Sequence, residues 1–152
     1  MTTATKTVDV HCPITTAYNQ WTQFEEFPKF MDGVETVRQL DDRHLHWTVR
    51  IAGVQREFDA EITEQHPDER IAWRSTGGVD QAGVVTFHKL DAENTRVTLQ
   101  LEMEPEGMAE KAGEKTGLVA MAAERDMANF KEFIEARGLA SGAWRGDVPR
   151  EG

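Results

Sequence analysis

Short strand-like segments fill the middle of the chain and limit its fold more than any other feature. Between residues 33 and 105, runs of six to ten residues rich in Val, Ile, Thr, Phe and Trp are separated by turn signals such as DDRH, HPDE, TGG and DAEN. This spacing predicts a six-strand antiparallel meander. Residues 5–12 alternate in the same way, with Val8, Val10 and Cys12 on one side, and predict one further strand before it.

The turn positions predict which residues of neighbouring strands face each other. A turn centred on residues 52–53 places Trp47 opposite Phe58 and Val49 opposite Arg56. A one-residue error in the turn would reverse every face, because successive side chains of a strand point to opposite sides of the sheet. The pairing therefore predicts one apolar face that carries the aromatic residues.

The following hairpin predicts the same face independently. A turn centred on Pro67 and Asp68 places Ile62 opposite Trp73. Ile62 lies in phase with Phe58, so the apolar face continues across three strands. Two separate turns thus agree on which side of the sheet is buried.

The last hairpin, around DAEN, allows two registers. An even loop buries Thr86 and His88, whereas an odd loop with a bulge buries Val85 and Phe87. We predict the odd loop, because burying Phe87 is worth about 2 kcal/mol and burying an unpaired imidazole is unfavourable.

Helical patterns flank the strands on both sides. Residues 14–31 follow a Thr cap signal and space aromatic side chains three and four apart, which predicts two short helices broken near Pro28. After Pro105 an apolar stripe with helical spacing predicts one long helix. Gly113 and Gly117 weaken its front, so the continuous helix is expected to start near Leu118 and to stop at Gly138. The stripe consists of Val119, Ala123, Met127, Phe130 and Ile134.

Composition narrows the classes of function. The chain has 152 residues, 17 Lys and Arg and 27 Asp and Glu, so we expect one domain with a net charge near −10. Such a charge opposes binding to nucleic acid, which relies on Lys and Arg at the phosphates. The absence of an apolar run near the ~18 residues that span a bilayer, and of a signal-peptide pattern, predicts a cytoplasmic protein without membrane insertion. Cys12 is the sole cysteine and has no partner for an internal disulfide.

The predicted elements suggest a chamber. A seven-stranded sheet with one apolar face must be covered, and the long C-terminal helix is the amphipathic element that can cover it. A curved sheet over a single helix either closes as a solid core or leaves a space that suits a small hydrophobic or aromatic ligand, with no cofactor. The residues predicted to line this space are Trp47, Phe58, Ile62, Trp73, Ser75, Phe87, Leu99, Leu101, Met103, Val119 and Ala123.

Several segments together resemble a known family. AYNQWTQFEEFPKFM, VETV, FDAEITEQHPDERIAWRS, GVVTFHKL and TRVTLQLEMEP resemble the polyketide cyclase/dehydrase branch of the START and Bet v 1-like (SRPBCC) superfamily, from Val8 to about Arg137. The resemblance implies an α+β helix-grip fold, in which a sheet wraps the C-terminal helix around a ligand cavity. The domain is expected to span residues 1–152, with residues 138–152 as a tail.

The same resemblance implies two kinds of function. Some members are aromatase/cyclases that act on polyketide chains, and others carry or sense lipids or quinones without chemistry. Cyclases of this kind have a cavity arginine and a neighbouring serine on the middle strand. The nearest positions here are Thr63 and Gln65, both predicted to face solvent. The chain departs from the cyclase pattern at that point.

Four residues are candidates for catalysis. Arg56 is in phase with the apolar face and could hold a ligand carbonyl or carboxylate, or could reach out to water. Glu64 is predicted to face inward, in phase with Ile62, where it could act as a base, or it could pair with Arg70. Asp126 lies inside the apolar arc of the long helix, where it either forms a salt bridge or faces a wet cavity as an acid or base. Tyr18 could donate its hydroxyl at the cavity mouth, or could simply pack.

Two further features carry less chemistry. His44 and His46 share one strand face with acidic residues predicted opposite them, so we interpret them as a solvent-facing row and expect no metal. The tail SGAWRGDVP holds Trp144 and Arg145 beyond the last helix. Trp144 could anchor the tail on its own domain, enter a second subunit of a homodimer, or remain in a disordered terminus. We expect it to pack back, because an apolar ring in water forfeits its burial energy.

Overall fold

The computed structural model describes residues 2–51, 53–78, 80–104 and 112–149. Seven strands and three helical segments follow one another in the predicted order. They are β1 (Thr2–Val10), α1 (Ile14–Trp21), a 3₁₀ helix (Phe24–Lys29), β2 (Val34–Gln39), β3 (His44–Ile51), β4 (Val54–His66), β5 (Arg70–Gly78), β6 (Asp80–Asp91), β7 (Asn94–Glu104) and α2 (Ala112–Arg137).

All seven strands form one antiparallel sheet in the order β1-β7-β6-β5-β4-β3-β2. The predicted meander is confirmed, and β1 returns to pair with β7. The helix α2 covers the apolar face of the sheet, which we call the inner face. Its predicted stripe is buried from Val119 to Ile134, which confirms the helical spacing. None of the described helices is both long enough and apolar enough to cross a membrane.

The register between β3 and β4 follows the prediction. Trp47 faces Phe58 and Val49 faces Arg56. Ala52, at the centre of the predicted turn, lies outside the described residues. Trp47 and Phe58 are both buried on the inner face, so the predicted side of the sheet is the covered one.

The turn between β4 and β5 differs from the prediction. His66 pairs with Arg70, so three residues form the turn, and Asp68 lies at its centre with a φ of 61°. Aspartate tolerates this left-handed conformation better than most residues. A bulge at Thr63 then restores the predicted pairing of Ile62 with Trp73. The prediction was therefore right in the middle of the hairpin and wrong at its turn.

This bulge reverses the predicted faces at the end of β4. Beyond Thr63, the extra residue turns Gln65 to the inner face, where it is 1% exposed, and turns Glu64 to the outer face. Both assignments from the sequence, Gln65 outward and Glu64 inward, are wrong. An uninterrupted period of two cannot anticipate a bulge, because the bulge changes the phase by one residue.

The predicted register of the last hairpin is confirmed, but the loop between Asp91 and Asn94 has two residues, and the bulge supplies the odd offset. Val85 faces Leu99 and Phe87 faces Val97, with a bulge between Lys89 and Asp91. Phe87 is buried, as the comparison of burial energies predicted.

Both helical regions differ at their boundaries. The first break comes after Trp21, and Pro28 lies inside the 3₁₀ helix instead of at the break. The helix α2 already begins at Ala112, so Gly113 and Gly117 do not delay it to Leu118. Each internal glycine costs about 1 kcal/mol, too little to end a helix with a long apolar stripe. The stop at Gly138 is confirmed by its φ of 70°.

The C-terminal tail packs back on its own domain, as predicted. Residues 138–149, which we call the C-terminal strap, run from the end of α2 across α1 to the end of β4. The Gln20 amide donates to Ser141 Oγ at 3.0 Å, and Thr22 Oγ1 accepts the backbone N–H of Trp144 at 3.1 Å. Val148 then forms an antiparallel bridge with Gln65. Trp144 is half-buried against the core.

Candidate functional site

The two ends of the inner face differ. At the end that we call the upper end, β3 passes to β4, β5 passes to β6 and β7 finishes. At the lower end, β4 passes to β5 and the C-terminal strap crosses the sheet. The lower end is packed with buried side chains, among them Gln65 and Phe87. A ligand site on the inner face therefore has to lie toward the upper end.

Stacked aromatic rings form the middle of the inner face. The ring of Trp47 stacks on Phe58 with centroids 5.4 Å apart and on Trp73 at 5.8 Å. Phe27, from the 3₁₀ helix, meets Trp47 edge-on at 5.7 Å. Trp21 packs against Phe130 of α2 at 5.1 Å. These contacts hold the short helices and α2 against the sheet.

Toward the upper end the same face is less covered. Leu99 is buried on β7, whereas Leu101 and Met103, in phase with it, are half-buried. Arg56 and Ser75, on β4 and β5, are half-buried in the same phase. The described residues therefore cover the inner face less fully at this end. The predicted lining residues thus point inward, but Phe87 lies at the packed lower end. Contact of the lining residues with a ligand remains a prediction.

A buried glutamine that sequence reasoning missed lies at this upper end. Gln81 is 6% exposed and accepts a hydrogen bond on Oε1 from Trp73 Nε1 at 2.8 Å. Its backbone N–H donates to Ser75 Oγ at 2.9 Å. The indole can reach Gln81 because Gly83 lies beneath it, where an added Cβ would come 2.3 Å from Trp73 Cζ2. The available signal was that Gln81 lies in phase with Gly83 and Val85.

Asp126 lies on α2 and is half-buried. Its carboxylate accepts the backbone N–H of Asp32 at 3.3 Å, while Arg125 pairs with Asp32 at 3.1 Å. Burial raises the pKa of Asp126 to about 7, and the nearby Asp32 charge adds to the rise. Asp126 thus contacts a backbone amide. The sequence favoured a salt bridge for Asp126, but the salt bridge at this place joins Arg125 and Asp32.

Asp126 and Arg56 belong to the same end of the inner face. Asp32 precedes β2, and Val34 at the start of β2 pairs with Val49. Val49 in turn pairs with Arg56. A path of neighbouring residues therefore joins the two candidate catalytic groups along the upper end.

Tyr18 lies at the opposite, lower end. It is buried beneath the C-terminal strap, with its ring 5.3 Å from Phe87 and under the guanidinium of Arg145 at 5.4 Å. Burial raises the pKa of Tyr18 to about 12, although the nearby Gln65 amide lowers it in part. Its hydroxyl completes no hydrogen bond of good geometry with any described residue. The predicted place at a cavity mouth is wrong, because the strap covers this position.

Glu64 is also separated from the inner face. It lies on the outer face, 3.6 Å from Arg70 and 3.4 Å from His66. The alternative role of Glu64, pairing with Arg70, is the one observed. Of the four candidate catalytic residues, the fold therefore brings Arg56 and Asp126 to one end and separates Tyr18 and Glu64 from them.

The histidine row faces solvent. His46 lies between Asp59 at 2.7 Å and Glu57 at 2.8 Å, and His44 contacts Asp41. These carboxylates raise the pKa of His46. A search of the described residues finds no group of three metal-binding side chains.

The cavities that are lined by described residues include two at the surface. A groove of about 570 Å³ lies on the outer face of the sheet between Arg43, Arg74 and Glu102, and one of about 290 Å³ lies beside the 3₁₀ helix. Neither lies on the inner face. Residues 105–111, which join β7 to α2 at the upper end, lie outside the described residues. The predicted chamber between the sheet and α2 remains a prediction.

Comparison with known proteins identifies relatives along most of the chain. A family model described as polyketide cyclase/dehydrase and lipid transport matches residues 10–132. An uncharacterised 17.2 kDa protein from Streptomyces lincolnensis is 52% identical over 149 residues, which cover 97% of this chain and 99% of that protein.

Solved structures share the architecture. A START superfamily protein from Mycobacterium smegmatis aligns with a TM-score of 0.74 at 17% identity, over 89% of this chain and 95% of that one. The Zhui aromatase/cyclase from Streptomyces sp. R1128 aligns with a TM-score of 0.73 at 18% identity, over 93% of this chain and 98% of that one. At these identities the likeness shows the fold, which is the START and Bet v 1-like helix grip.

Proposed function

The chain belongs to the polyketide cyclase/dehydrase and lipid-transport family, and from that premise we propose that it binds a small hydrophobic or aromatic ligand between the inner face and α2. The description of the family names polyketides and lipids. The observation that carries the proposal is the incomplete cover over Leu101 and Met103, which point inward and remain half-buried. Apolar surface of this kind gains free energy when a ligand covers it.

The aromatic stack supports an aromatic ligand in particular. Trp47, Phe58 and Trp73 form a continuous series of stacked rings that ends beside the half-buried residues. A planar ligand that enters from the upper end can extend this series. Offset stacking adds about 0.5–1.5 kcal/mol per ring pair beyond burial alone.

Catalysis is the finer part of the proposal. Arg56 would orient a ligand carbonyl or carboxylate, and Asp126, with a pKa of about 7, would exchange a proton at neutral pH. These are the groups that an aromatase/cyclase or dehydrase acting on a polyketide-like ligand would use. A carrier or sensor for a lipid or quinone is the second candidate, and the separation of Tyr18 and Glu64 from the upper end favours it.

Two measurements test these functions in order. Native mass spectrometry of protein purified from its own host should detect a co-purified small molecule, and titration with 2-ethylnaphthalene should quench tryptophan fluorescence with saturation. Absence of both signals would contradict the binding function.

Incubation with a linear poly-β-ketone surrogate then separates an enzyme from a carrier. An enzyme alters the product distribution relative to buffer, whereas a carrier leaves it unaltered. The Asp126→Asn variant is the control, since it removes the titrating carboxyl and retains an oxygen for the N–H of Asp32.

Location and assembly belong to the same proposal. A cytoplasmic protein without nucleic-acid partners fits the net charge near −10. The C-terminal strap contacts its own domain, so a homodimer would have to use other surfaces. Sedimentation of the wild-type protein and of a variant truncated after Gly138 measures the contribution of the strap to assembly.

A further inference from the structure

The hydrogen bonds around Gln81 determine which of its atoms stay unpaired. An indole N–H can only donate, so the atom of Gln81 that lies 2.8 Å from Trp73 Nε1 is the carbonyl oxygen Oε1. The amide nitrogen Nε2 is therefore on the other arm of the side chain. It makes no hydrogen bond with a described residue, and it is not one of the fully buried polar atoms that lack a partner.

Ser75 is oriented by the same logic. Its Oγ accepts the backbone N–H of Gln81 at 2.9 Å, which leaves the hydroxyl hydrogen available to donate elsewhere. Ser75 and Gln81 lie on the adjacent strands β5 and β6, at the upper end of the inner face. Among the described residues neither donor has an acceptor, and both residues belong to the edge of the apolar wall.

Packing holds this pair in place. Trp73 is stacked on Trp47 at 5.8 Å and lies across Gly83, so its N–H cannot move away from Gln81 without disturbing the aromatic series. A donor that is held rigidly in this way loses little conformational freedom when it binds an acceptor. An oxygen acceptor of a ligand can therefore bind here without rearrangement of the aromatic wall.

We infer that Gln81 Nε2 and Ser75 Oγ form a donor pair that binds an uncharged carbonyl oxygen of the ligand, with Trp73 as the residue that positions Gln81. The inference rests on the proposed function and adds specificity to it. Both donors are neutral, so they select a ketone or quinone oxygen over a hydrocarbon edge of the same shape. Arg56 is charged and does not belong to this donor pair; it would favour an anionic group of a ligand.

The experiment compares two ligands that differ at one position. 2-Acetylnaphthalene carries a carbonyl where 2-ethylnaphthalene carries a methylene, and tryptophan fluorescence measures the affinity of both. The wild-type protein should bind the ketone at least about tenfold more tightly. Gln81→Met should reduce this ratio to about one while leaving the affinity for 2-ethylnaphthalene within about twofold. Ser75→Ala should reduce the ratio in part.

Two further variants keep the test decisive. Gln81→Glu retains an oxygen for Trp73 and replaces the donor arm by an acceptor, so it should also lose the preference for the ketone. Gln100→Met makes the same chemical change as Gln81→Met at an exposed position on the outer face, and it should leave both affinities unchanged. Circular dichroism checks that each variant is folded.

The outcomes separate the two levels of the proposal. Equal binding of both ligands by the wild-type protein would overturn the donor pair and leave the proposed ligand-binding function intact. An unchanged ratio in Gln81→Met, Gln81→Glu and Ser75→Ala would also overturn it. If the wild-type protein bound neither ligand, the proposed function and the donor pair would both be rejected.

Discussion

Gln65 and Val148 exchange two backbone hydrogen bonds, of 2.9 and 2.8 Å, that fasten the C-terminal strap to the end of β4. The strand β4 extends beyond the start of β3, whose ladder covers only the part of β4 from Val54 to Glu61. The strap therefore covers a part of the β4 edge that would otherwise be open. Beneath it lie Tyr18 and Gln65, both buried.

Trp144 should contribute measurably to stability through the strap. Its ring is half-buried against the core, and its backbone N–H donates a hydrogen bond to Thr22 Oγ1. Trp144→Ala should lower the free energy of unfolding by about 2 kcal/mol in urea titrations. Leu139→Ala, at a residue of the strap that is 73% exposed, is the control and should change it by less than about 0.5 kcal/mol. Equal effects of the two variants would contradict the packing of the strap.

Stability should also depend on pH through His66 and Asp147. The two side chains lie 2.6 Å apart, and the Asp147 carboxylate raises the pKa of His66 above 6.5, with Glu64 adding to the rise. Because the folded pKa lies above the unfolded one, this contribution is full below pH 6.5 and is lost as the pH rises through the folded pKa. His66→Gln should remove it. The stability difference between wild type and His66→Gln should therefore shrink from acid to alkaline pH, and a constant difference would exclude the pair as its source.

Asp126 should destabilise the folded protein above neutral pH. Its pKa is raised from 3.8 to about 7 by burial, so folding favours the protonated form between these values. The free energy of unfolding of the wild-type protein therefore falls as the pH rises from about 4 to 7, and this loss persists above pH 7. Asp126→Asn should therefore be more stable than wild type above pH 7, by on the order of 2–4 kcal/mol. Urea titrations across this range test it, and a gap that does not vary with pH would show that Asp126 has an ordinary pKa.

Arg56 should bind an anionic ligand at the upper end. If it contacts the carboxylate of 2-naphthoate, Arg56→Ala should weaken that binding at least tenfold, or about 1.4 kcal/mol. Arg74→Ala is the matched control, since Arg74 is exposed and lines the outer groove. Unchanged affinity in Arg56→Ala would remove the anchor role. Loss of affinity in both variants would point to the net charge of the protein as the cause.

Gly83 should tolerate a methyl group poorly, because the indole of Trp73 lies across it. A Cβ there would come 2.3 Å from the indole of Trp73, so Gly83→Ala must displace the ring and its bond to Gln81. We expect a loss of about 1–3 kcal/mol and a changed near-ultraviolet circular dichroism spectrum. Gly77→Ala, where nothing lies within 4 Å, should leave both unchanged. A tolerated Gly83→Ala would mean that the indole does not lie across β6.

Much of the fold could be predicted because it depends on local periodicity. The pairing of Trp47 with Phe58 follows from the turn and from strict alternation, and α2 follows from its apolar stripe. The family, too, was identified from segments of the sequence. The candidate site was predicted less well. Arg56 and Asp126 reach one end of the sheet, while Glu64 lies on the outer face and Tyr18 lies under the strap.

The sequence by itself determined the order of the elements, the buried face of the sheet and the long helix that covers it, because each follows from side-chain spacing within one segment. Only the tertiary structure decided where the alternation of inward and outward side chains shifts, and which side chains of neighbouring strands contact each other. The bulge at Thr63 exchanged the faces of Glu64 and Gln65, and the contact of Trp73 with Gln81 depends on a gap above Gly83. Such features are settled by the fit between neighbouring strands, since one extra residue or one missing side chain is accommodated only when the partner strand is in place.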